Sequence, residues 1–465
     1  MRNRFPDLER VKAYADSYRS GDQPIHADAS AAELRRAFCL SLNEKGLNGA
    51  HVIEELIEAA SGGLVRNTDP GFFAWVMGAS DPVGVAADWL VSIWGQNSAI
   101  YQTAPAAAIA EEAVSAWLLD LLDLPKDSSV AFVTGATMAG FVGLAAARGA
   151  VLKRYGHDFD EVGLQGAPQV SIYISDDAHV SNFSALRYLG FGRSNIVTVS
   201  SDKRGLMMPD ALAKELAQHE GPQIIISQAG HINSGGFEDF VAISRLCREH
   251  NAWMHVDGAF GLWARVLEEK AELTCGLELA DSWSVDGHKW LQLPYDSGFA
   301  IVRDPQAHMR AMTKDAGYLN IDPEDGRNPA NFGPELSRRA RGFAAWAVIR
   351  SLGRDGIIEM VRAHCSAATR LRDELSSVSG LSVLNPVDLN QLIIAFEDDK
   401  KDVQMPEFAR RINQHDGFFV RPAQWKSRQV LRVSIISQFA DEALLVRFAE
   451  FLGETLIELD AIQSV

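Results

Sequence analysis

Several features are scarce in this 465-residue chain, and each scarcity narrows what it can be. Basic residues are outnumbered, 44 Lys and Arg against 61 Asp and Glu, for a net charge of −17. Binding a phosphate backbone needs a basic surface. The balance fits a small-molecule enzyme or an acidic soluble protein instead. Cysteine is rare: Cys39, Cys247, Cys275 and Cys365 lie far apart, with no CxxC or other metal-type spacing. They read as reduced thiols in a cytoplasmic protein. No uninterrupted apolar stretch approaches the ~20 residues of a membrane helix. The opening "MRNRFPDLERVKAY" lacks the apolar core of a signal peptide. No internal repeat is found, and the Ala-rich pieces look like helices rather than linkers.

What remains is a chain able to bury a large core, 47% hydrophobic and 23% charged. Its length allows two to four domains' worth of sequence. Residues 1 to about 65 read as helices, and Ser30 with Glu33 forms a capping box. "NTDPGFF" breaks that pattern. From Pro105 to Pro125 a helix is predicted, with Ile109, Val114, Trp117, Leu118, Leu121 and Leu122 at helical spacing.

Then the rhythm changes to short β-branched runs: "VAFVT", "QVSIYIS", "NIVTVS", "QIIIS", "AWMHVD", "SWSVD" and "GFAIV". Helical stretches such as "PDALAKELAQH" and "FEDFVAISRLCREH" separate several of them. This alternation predicts an α/β fold with a mostly parallel sheet covered on both faces. Ligands in such sheets sit beyond the carboxyl ends of the strands. After about residue 340 a smaller α/β region is expected, with strands at "LNQLIIAF" and "VLRVSIIS" and a last helix in "DEALLVRFAEFLGETLIEL".

Four features fall at or near strand ends. "VTGATMAG", residues 133 to 140, is a strand-to-helix turn of small residues that lets backbone N–H groups approach an anion. Its rival is a dinucleotide fingerprint, but Gly135, Gly140 and Gly143 do not fit GxGxxG. A turn with no ligand is the plainer alternative. His179 follows a strand in "DDAHVSN"; alone, such a histidine is more often a hydrogen-bonded loop residue. His255 and Asp257 in "HVDGAFG" are two apart on a strand and point to one face. A buried Asp should meet a cation. A metal is one option, without further ligands at recognisable spacing; a helix-capping Asp is another. Lys289, in "SWSVDGHKWLQLPYDSG", has apolar neighbours that suit a nucleophilic amine as well as a snorkelling side chain. One ligand meets all four demands: an anionic group for the turn, a cationic ring nitrogen for Asp257, a flat face for His179 and an aldehyde for Lys289. Pyridoxal 5'-phosphate has them all.

"HVDGAFG", "DSWSVDGHKWLQLPYDSG", "VTGATMAGFVGLAAAR" and "DAHVSNFSALRYLG" resemble the group II pyridoxal-phosphate-dependent decarboxylases, relatives of the glutamate, aromatic amino acid, histidine and diaminobutyrate decarboxylases. The resemblance runs from about residue 70 to the C-terminus. It implies fold type I, with a mostly parallel seven-stranded sheet. Residues 1–95 would be a helical, dimer-wrapping segment, 96–345 the large cofactor domain and 346–465 the small domain. It also implies decarboxylation of an L-amino acid by a homodimer with shared active sites. Lys289 then holds the cofactor covalently, Asp257 pairs with its ring nitrogen, and His179 and Ala259 pack on opposite ring faces. Thr134, Gly135, Ala136 and Thr137 form the phosphate turn, with His288 near it. Arg432 receives the substrate's α-carboxylate, and Gln102 and Thr103 lie in a segment lining the substrate end. Tyr318, in "KDAGYLNIDPEDG", matches a loop tyrosine that protonates the substrate carbon after CO2 leaves. Relatives with Phe there make aldehydes.

Departures from the pattern are plain. Met138 and Gly140 replace the usual Glu and Asn, "AGHINSGGF" places His231 and Asn233 near the cofactor, and Asp286 stands where aromatic decarboxylases have Asn. These leave the substrate side chain open. Other cofactor-dependent reactions, namely lyase, aminotransferase or decarboxylating oxidase, remain alternatives, as does a non-catalytic homologue.

Overall fold

A computed structural model describes residues 6–20, 24–313, 326–415, 417–437 and 440–463. Each of the seven runs picked out above forms a strand: β1 (Ser129–Val133), β2 (Ser171–Ser175), β3 (Ile196–Val199), β4 (Gln223–Gln228), β5 (Trp253–Asp257), β6 (Ser282–Asp286) and β7 (Gly298–Val302). They make one sheet in the order β1-β7-β6-β5-β4-β2-β3. Only β7 runs against the direction of the other six. Every residue of β1, β2, β4, β5, β6 and β7 is buried, as a sheet covered on both faces requires.

Alternation divides these side chains between two cores. Val130 and Phe132 join one, Ala131 and Val133 the other. Six helices are named here: α1 (Pro6–Arg19), α2 (Ala31–Phe38), α3 (Gly49–Ser61), α4 (Pro82–Trp94), α5 (Pro105–Leu121) and α6 (Ala136–Arg154). α5 packs on the first core through Val114 and Leu118, and α6 on the second through Ala139, Val142 and Leu144. The capping box at α2 is formed as expected, with Glu33 N donating to Ser30 Oγ at 3.2 Å and Ser30 N to Glu33 Oε2 at 2.7 Å.

The second sheet is antiparallel, in the order β10-β11-β9-β8, from β8 (Leu381–Val383), β9 (Gln391–Phe396), β10 (Arg421–Trp425) and β11 (Arg428–Ser434). The sequence showed β9 and β11. It did not show β8, which has three residues, or β10, an edge strand that carries Pro422 where no ladder donor is needed. A helical stretch, Gly342–Leu375, passes from one sheet to the other and breaks at Gly353, whose φ is 64°. The last helix, Glu442–Gln463, covers the second sheet. Among the described residues no helix is long and apolar enough to cross a membrane.

"NTDPGFF" opens a strap that ties the two sheets together. Phe73 N donates to Phe419 O at 2.9 Å, and Ser434 N donates to Phe73 O at 3.0 Å. Further on, Asp81 N donates to Gln292 O at 2.8 Å. Between these anchors the strap crosses the turn that follows β6.

Candidate active site

Parallel strands bring their carboxyl ends to one edge, where chemistry from distant parts of the chain meets. β5 ends in Asp257, buried, with Oδ2 accepting from Asn182 Nδ2 at 2.8 Å and Oδ1 from Ala259 N at 3.2 Å. Both partners are neutral donors. Among the described residues Asp257 is in no ion pair, so its carboxylate suits an incoming cation. His255, on the same strand face, is not beside it as a metal ligand. Its Nδ1 lies 2.8 Å from Ser282 Oγ, and burial pulls its pKa down to about 4. The ring sits beneath α6, where a Cβ on Gly143 would come within 3.0 Å of it. Gly143 thus makes room for His255. Among the described residues no group of three or more His, Cys, Asp or Glu could hold a metal.

His179 caps the helix Val180–Tyr188, with Nδ1 2.7 Å from Ser181 Oγ and its backbone N donating to Gln228 Oε1 at 3.2 Å. Burial lowers its pKa, and the charges of Asp257, Lys289, Arg432 and Asp286 all act on it. Those four charges thus lie within electrostatic reach of one imidazole that burial holds toward its neutral form. Asn182 lies three residues beyond His179, one helical turn along, which is how a single helix start serves both the histidine and Asp257.

The turn after β6 carries Asp286, Gly287, His288 and Lys289. Trp290, Leu291 and Leu293 are fully buried and anchor it. Lys289 is partly buried, with 19% of its side chain exposed; its Nζ lies 2.9 Å from Asp286 Oδ2 and 6.0 Å from the centre of the Phe260 ring. His288 Nδ1 accepts from Ser297 N at 3.1 Å, so a neutral ring carries its proton on Nε2, 3.4 Å from Asp286 Oδ1. Tyr295 stacks on His288 at 4.3 Å. Burial lowers the His288 pKa.

Thr134 and Gly135 turn the chain from β1 into α6, whose first helical residues are Ala136 and Thr137. Gly135 is required there. A Cβ would meet His288 Cε1 at 2.9 Å and Asp286 Oδ1 at 3.2 Å. The first N–H groups of a helix have no intrahelical partner. That of Ala136 donates to Asp286 Oδ1 at 2.5 Å, which shows that an anionic oxygen fits this seat.

Arg432, on β11, reaches the same edge from the second sheet. Its Nη1 donates to Asn233 Oδ1 at 3.2 Å, and its buried Nε has no hydrogen-bond partner among the described residues. His231 braces the Asn233 loop, with Nε2 3.0 Å from Asp177 O and Nδ1 accepting from Asn233 N at 3.2 Å. Gln102 and Thr103 are not brought into this cluster by any described contact. They are exposed on a 3-10 turn, where the Thr103 hydroxyl donates to Asn97 O at 3.2 Å and Ile100 O at 3.1 Å. Tyr318 lies outside the described residues.

No motif or spacing marks Gly78. A Cβ there would lie 2.1 Å from Lys289 O and 2.4 Å from His288 O, so the strap rests directly on the lysine turn.

A seat for an anion, a carboxylate awaiting a cation, a flat neutral ring and a partly buried amine fit pyridoxal phosphate. The fold agrees. The structure of Oryza sativa TDC with PLP and tryptamine superposes with a TM-score of 0.91 over 99% of each chain, at 22% identity. Mouse CSAD gives 0.86 over 96% of this chain and 99% of that one, at 19%. Fold and site define a fold type I, pyridoxal-phosphate-dependent enzyme. The pyridoxal-dependent decarboxylase conserved domain matches residues 32–397, and the chain belongs to that family of carboxy-lyases. An aromatic-L-amino-acid decarboxylase of Bacillus atrophaeus is 26% identical over 434 residues, 89% of this chain and 87% of the relative. A 4-hydroxyphenylacetaldehyde synthase of Rhodiola rosea is 24% identical over 426 residues, 87% of this chain and 84% of the relative.

Proposed function

We propose that the protein removes the α-carboxyl group of an L-amino acid as CO2 and releases the amine. The observation that carries this reading is the convergence of Lys289, Asp257, His179 and Arg432 in a chain of the decarboxylase family. The cofactor, when bound, supplies an aldehyde for an amine and a ring that draws electrons from the substrate's Cα. Lys289 Nζ is the amine that holds it. The Asp257 carboxylate, steadied by Asn182, keeps a proton on the ring nitrogen. His179 packs against one face of the ring and Ala259 against the other. Thr134, Gly135, Ala136, Thr137 and His288 surround the phosphate at the start of α6. Arg432 Nε has no partner among the described residues, and the side chain suits the α-carboxylate, which a guanidinium can grip with two N–H groups. Gln102 and Thr103 serve the far end of the substrate, and the Tyr318 hydroxyl returns a proton to Cα.

Borohydride reduction followed by peptide mapping tests the anchor. The pyridoxyl adduct is expected on Lys289, and an adduct on another peptide, or on none, sinks the reading. A mass-spectrometric panel of the protein amino acids and diaminobutyrate tests the reaction, with amine and CO2 expected from at least one of them. The aldehyde synthase among the relatives favours one second reading. Aldehyde in place of amine in the same panel would establish it.

The partner proposed is a second copy of this chain, and the compartment the cytoplasm, which suits four free thiols. α2 and α3 bury none of their own residues. Leu42, between them, is 99% exposed. An apolar groove between α4, α5 and the Gly342–Leu375 stretch bares Leu90, Trp94, Ile109 and Trp346. Contiguous exposed apolar surface of this kind supports a contact with a second copy. A monomer by light scattering at micromolar concentration would refute the dimer.

A further inference from the structure

The carboxylate of Asp286 has no part in the assignments above, although it lies at their centre. Only 3% of its side chain is exposed. Oδ1 accepts from Ala136 N at 2.5 Å and lies 3.4 Å from His288 Nε2, while Oδ2 lies 2.9 Å from Lys289 Nζ. Ala136 is the first residue of the 19-residue α6, so its N–H belongs to the positive end of a long helix dipole. A donor well placed for an incoming phosphate is thus already engaged by an anion of the chain itself.

The carboxylate has little freedom to withdraw. A Cβ on Gly135 would lie 3.2 Å from its Oδ1, so the turn packs directly on the carboxylate, and one on Gly298 would lie 2.5 Å from Gly135 Cα, so β7 holds that turn in place. Among the described residues Asp286 forms its one lysine or arginine ion pair with Lys289. Among the described residues it faces the α6 N-terminus, His288, Lys289 and Tyr295 from its own turn, and it acts on His179 from the helix Val180–Tyr188. Burial keeps His288 and His179 toward the neutral form. Lys289 is then the one cation in this set, and it is the amine that the cofactor's aldehyde engages.

We infer that Asp286 is a selectivity residue set against the cofactor's phosphate: it competes for the Ala136 N–H and repels the dianion, so the phosphorylated cofactor is held less tightly than this seat could hold it. The inference rests on reading residues 134–137 as the phosphate turn. Two like charges roughly 5 Å apart at an effective dielectric of about 20 weaken binding by on the order of a hundredfold, and screening brings this toward tenfold.

The test compares two aldehydes that differ only in the phosphate. Full-length protein stripped of cofactor is titrated with pyridoxal 5'-phosphate and with pyridoxal, and each Kd is read from the absorbance change. In the unaltered protein the phosphorylated form should be preferred by less than about a hundredfold. Asp286→Asn keeps the side chain's shape and removes its charge, and should raise that preference by about tenfold or more with little change in the pyridoxal Kd. A purely structural role for Asp286 would move both constants together. A preference that stays or falls in Asp286→Asn, or in Asp286→Ala should the first variant misfold, overturns the inference. If neither variant folds, the unaltered protein decides, and a preference above that hundredfold limit overturns it. Equal affinity for the two compounds in every protein would instead overturn the reading of the turn as a phosphate seat.

Discussion

Replacing Gly78 with alanine probes the lysine turn without touching a reacting group. The added Cβ would stand 2.1 Å from Lys289 O and 2.4 Å from His288 O. A carbon and a carbonyl oxygen settle at roughly 3.3 Å, so strap and turn must part by about 1 Å. Neither side yields easily. The turn is pinned by Leu293 N donating to Gly287 O at 3.1 Å and Gln292 Nε2 to Ile436 O at 2.9 Å. The strap is pinned by Phe73 and Asp81. Forcing a methyl group into such a contact costs about 1–3 kcal/mol of stability. A shift of about 1 Å at a reacting group costs roughly a hundredfold in rate. Gly78→Ala should therefore lower the melting temperature and reduce kcat/KM for amine formation by about a hundredfold. Gly149→Ala is the control. It lies within α6, a Cβ there meets nothing within 4 Å, and the change should stabilise the helix by about 0.5–1 kcal/mol without altering the rate. If Gly78→Ala matched the unaltered protein in both melting temperature and kcat/KM, the claim that the strap positions Lys289 would be wrong.

Two further substitutions test buried charge. Arg338 and Glu111 are 2% and 1% exposed and pair at 2.8 Å, so Glu111→Gln strands the guanidinium and should cost about 3–5 kcal/mol, read from urea unfolding; an unchanged midpoint would refute this. Glu238 is buried with its oxygens accepting from Met207 N at 3.3 Å and Gln228 N at 3.2 Å, and burial raises its pKa to about 8. Its folded pKa exceeds the unfolded value of about 4.3, so the folded state binds the extra proton between these limits. Stability from this group is full below about pH 4 and declines up to about pH 8, by at most about 1.4 kcal/mol per pH unit. The difference in stability between the unaltered protein and Glu238→Gln, measured from pH 5 to 9, should carry that slope, and a flat difference would rule it out.

What could be read in the sequence follows physical lines. The strands of the first sheet stand out because burial on both faces demands unbroken apolar, β-branched runs such as "QIIIS". Their order, and the reversal of β7, depend on pairing between distant segments and leave no local mark. Lys289, Asp257 and His179 stood out as candidates because each sits at or near a strand end in an unusual setting. Asn182 could have been found from its spacing to His179. Gly143 was visible as part of an apparent ligand turn, but its reason is the His255 ring beneath it. The contact between Ala136 and Asp286 spans 150 residues, and that between Gly78 and Lys289 joins the first sheet to the strap. Neither has a periodicity or spacing to betray it.

The placement of Lys289 depends on single polar contacts more than on the bulk of its apolar neighbours. Trp290, Leu291 and Leu293 supply burial, which is non-directional and would tolerate small slides of the turn. Direction comes from elsewhere: Trp290 Nε1 donates to His364 Nδ1 at 2.9 Å, Gln292 Nε2 to Ile436 O at 2.9 Å, and Asp81 N to Gln292 O at 2.8 Å. One pin comes from the long helical stretch, one from beyond β11 and one from the strap. Each bond adds only about 1 kcal/mol net, but leaving its partners buried and unpaired costs about 1–3 kcal/mol. A turn that slipped would break several of these together, so the penalty for error, more than the gain from any one bond, fixes the register of the amine. The same pins oblige the strap, the long helical stretch and the second sheet to be in place before Lys289 is.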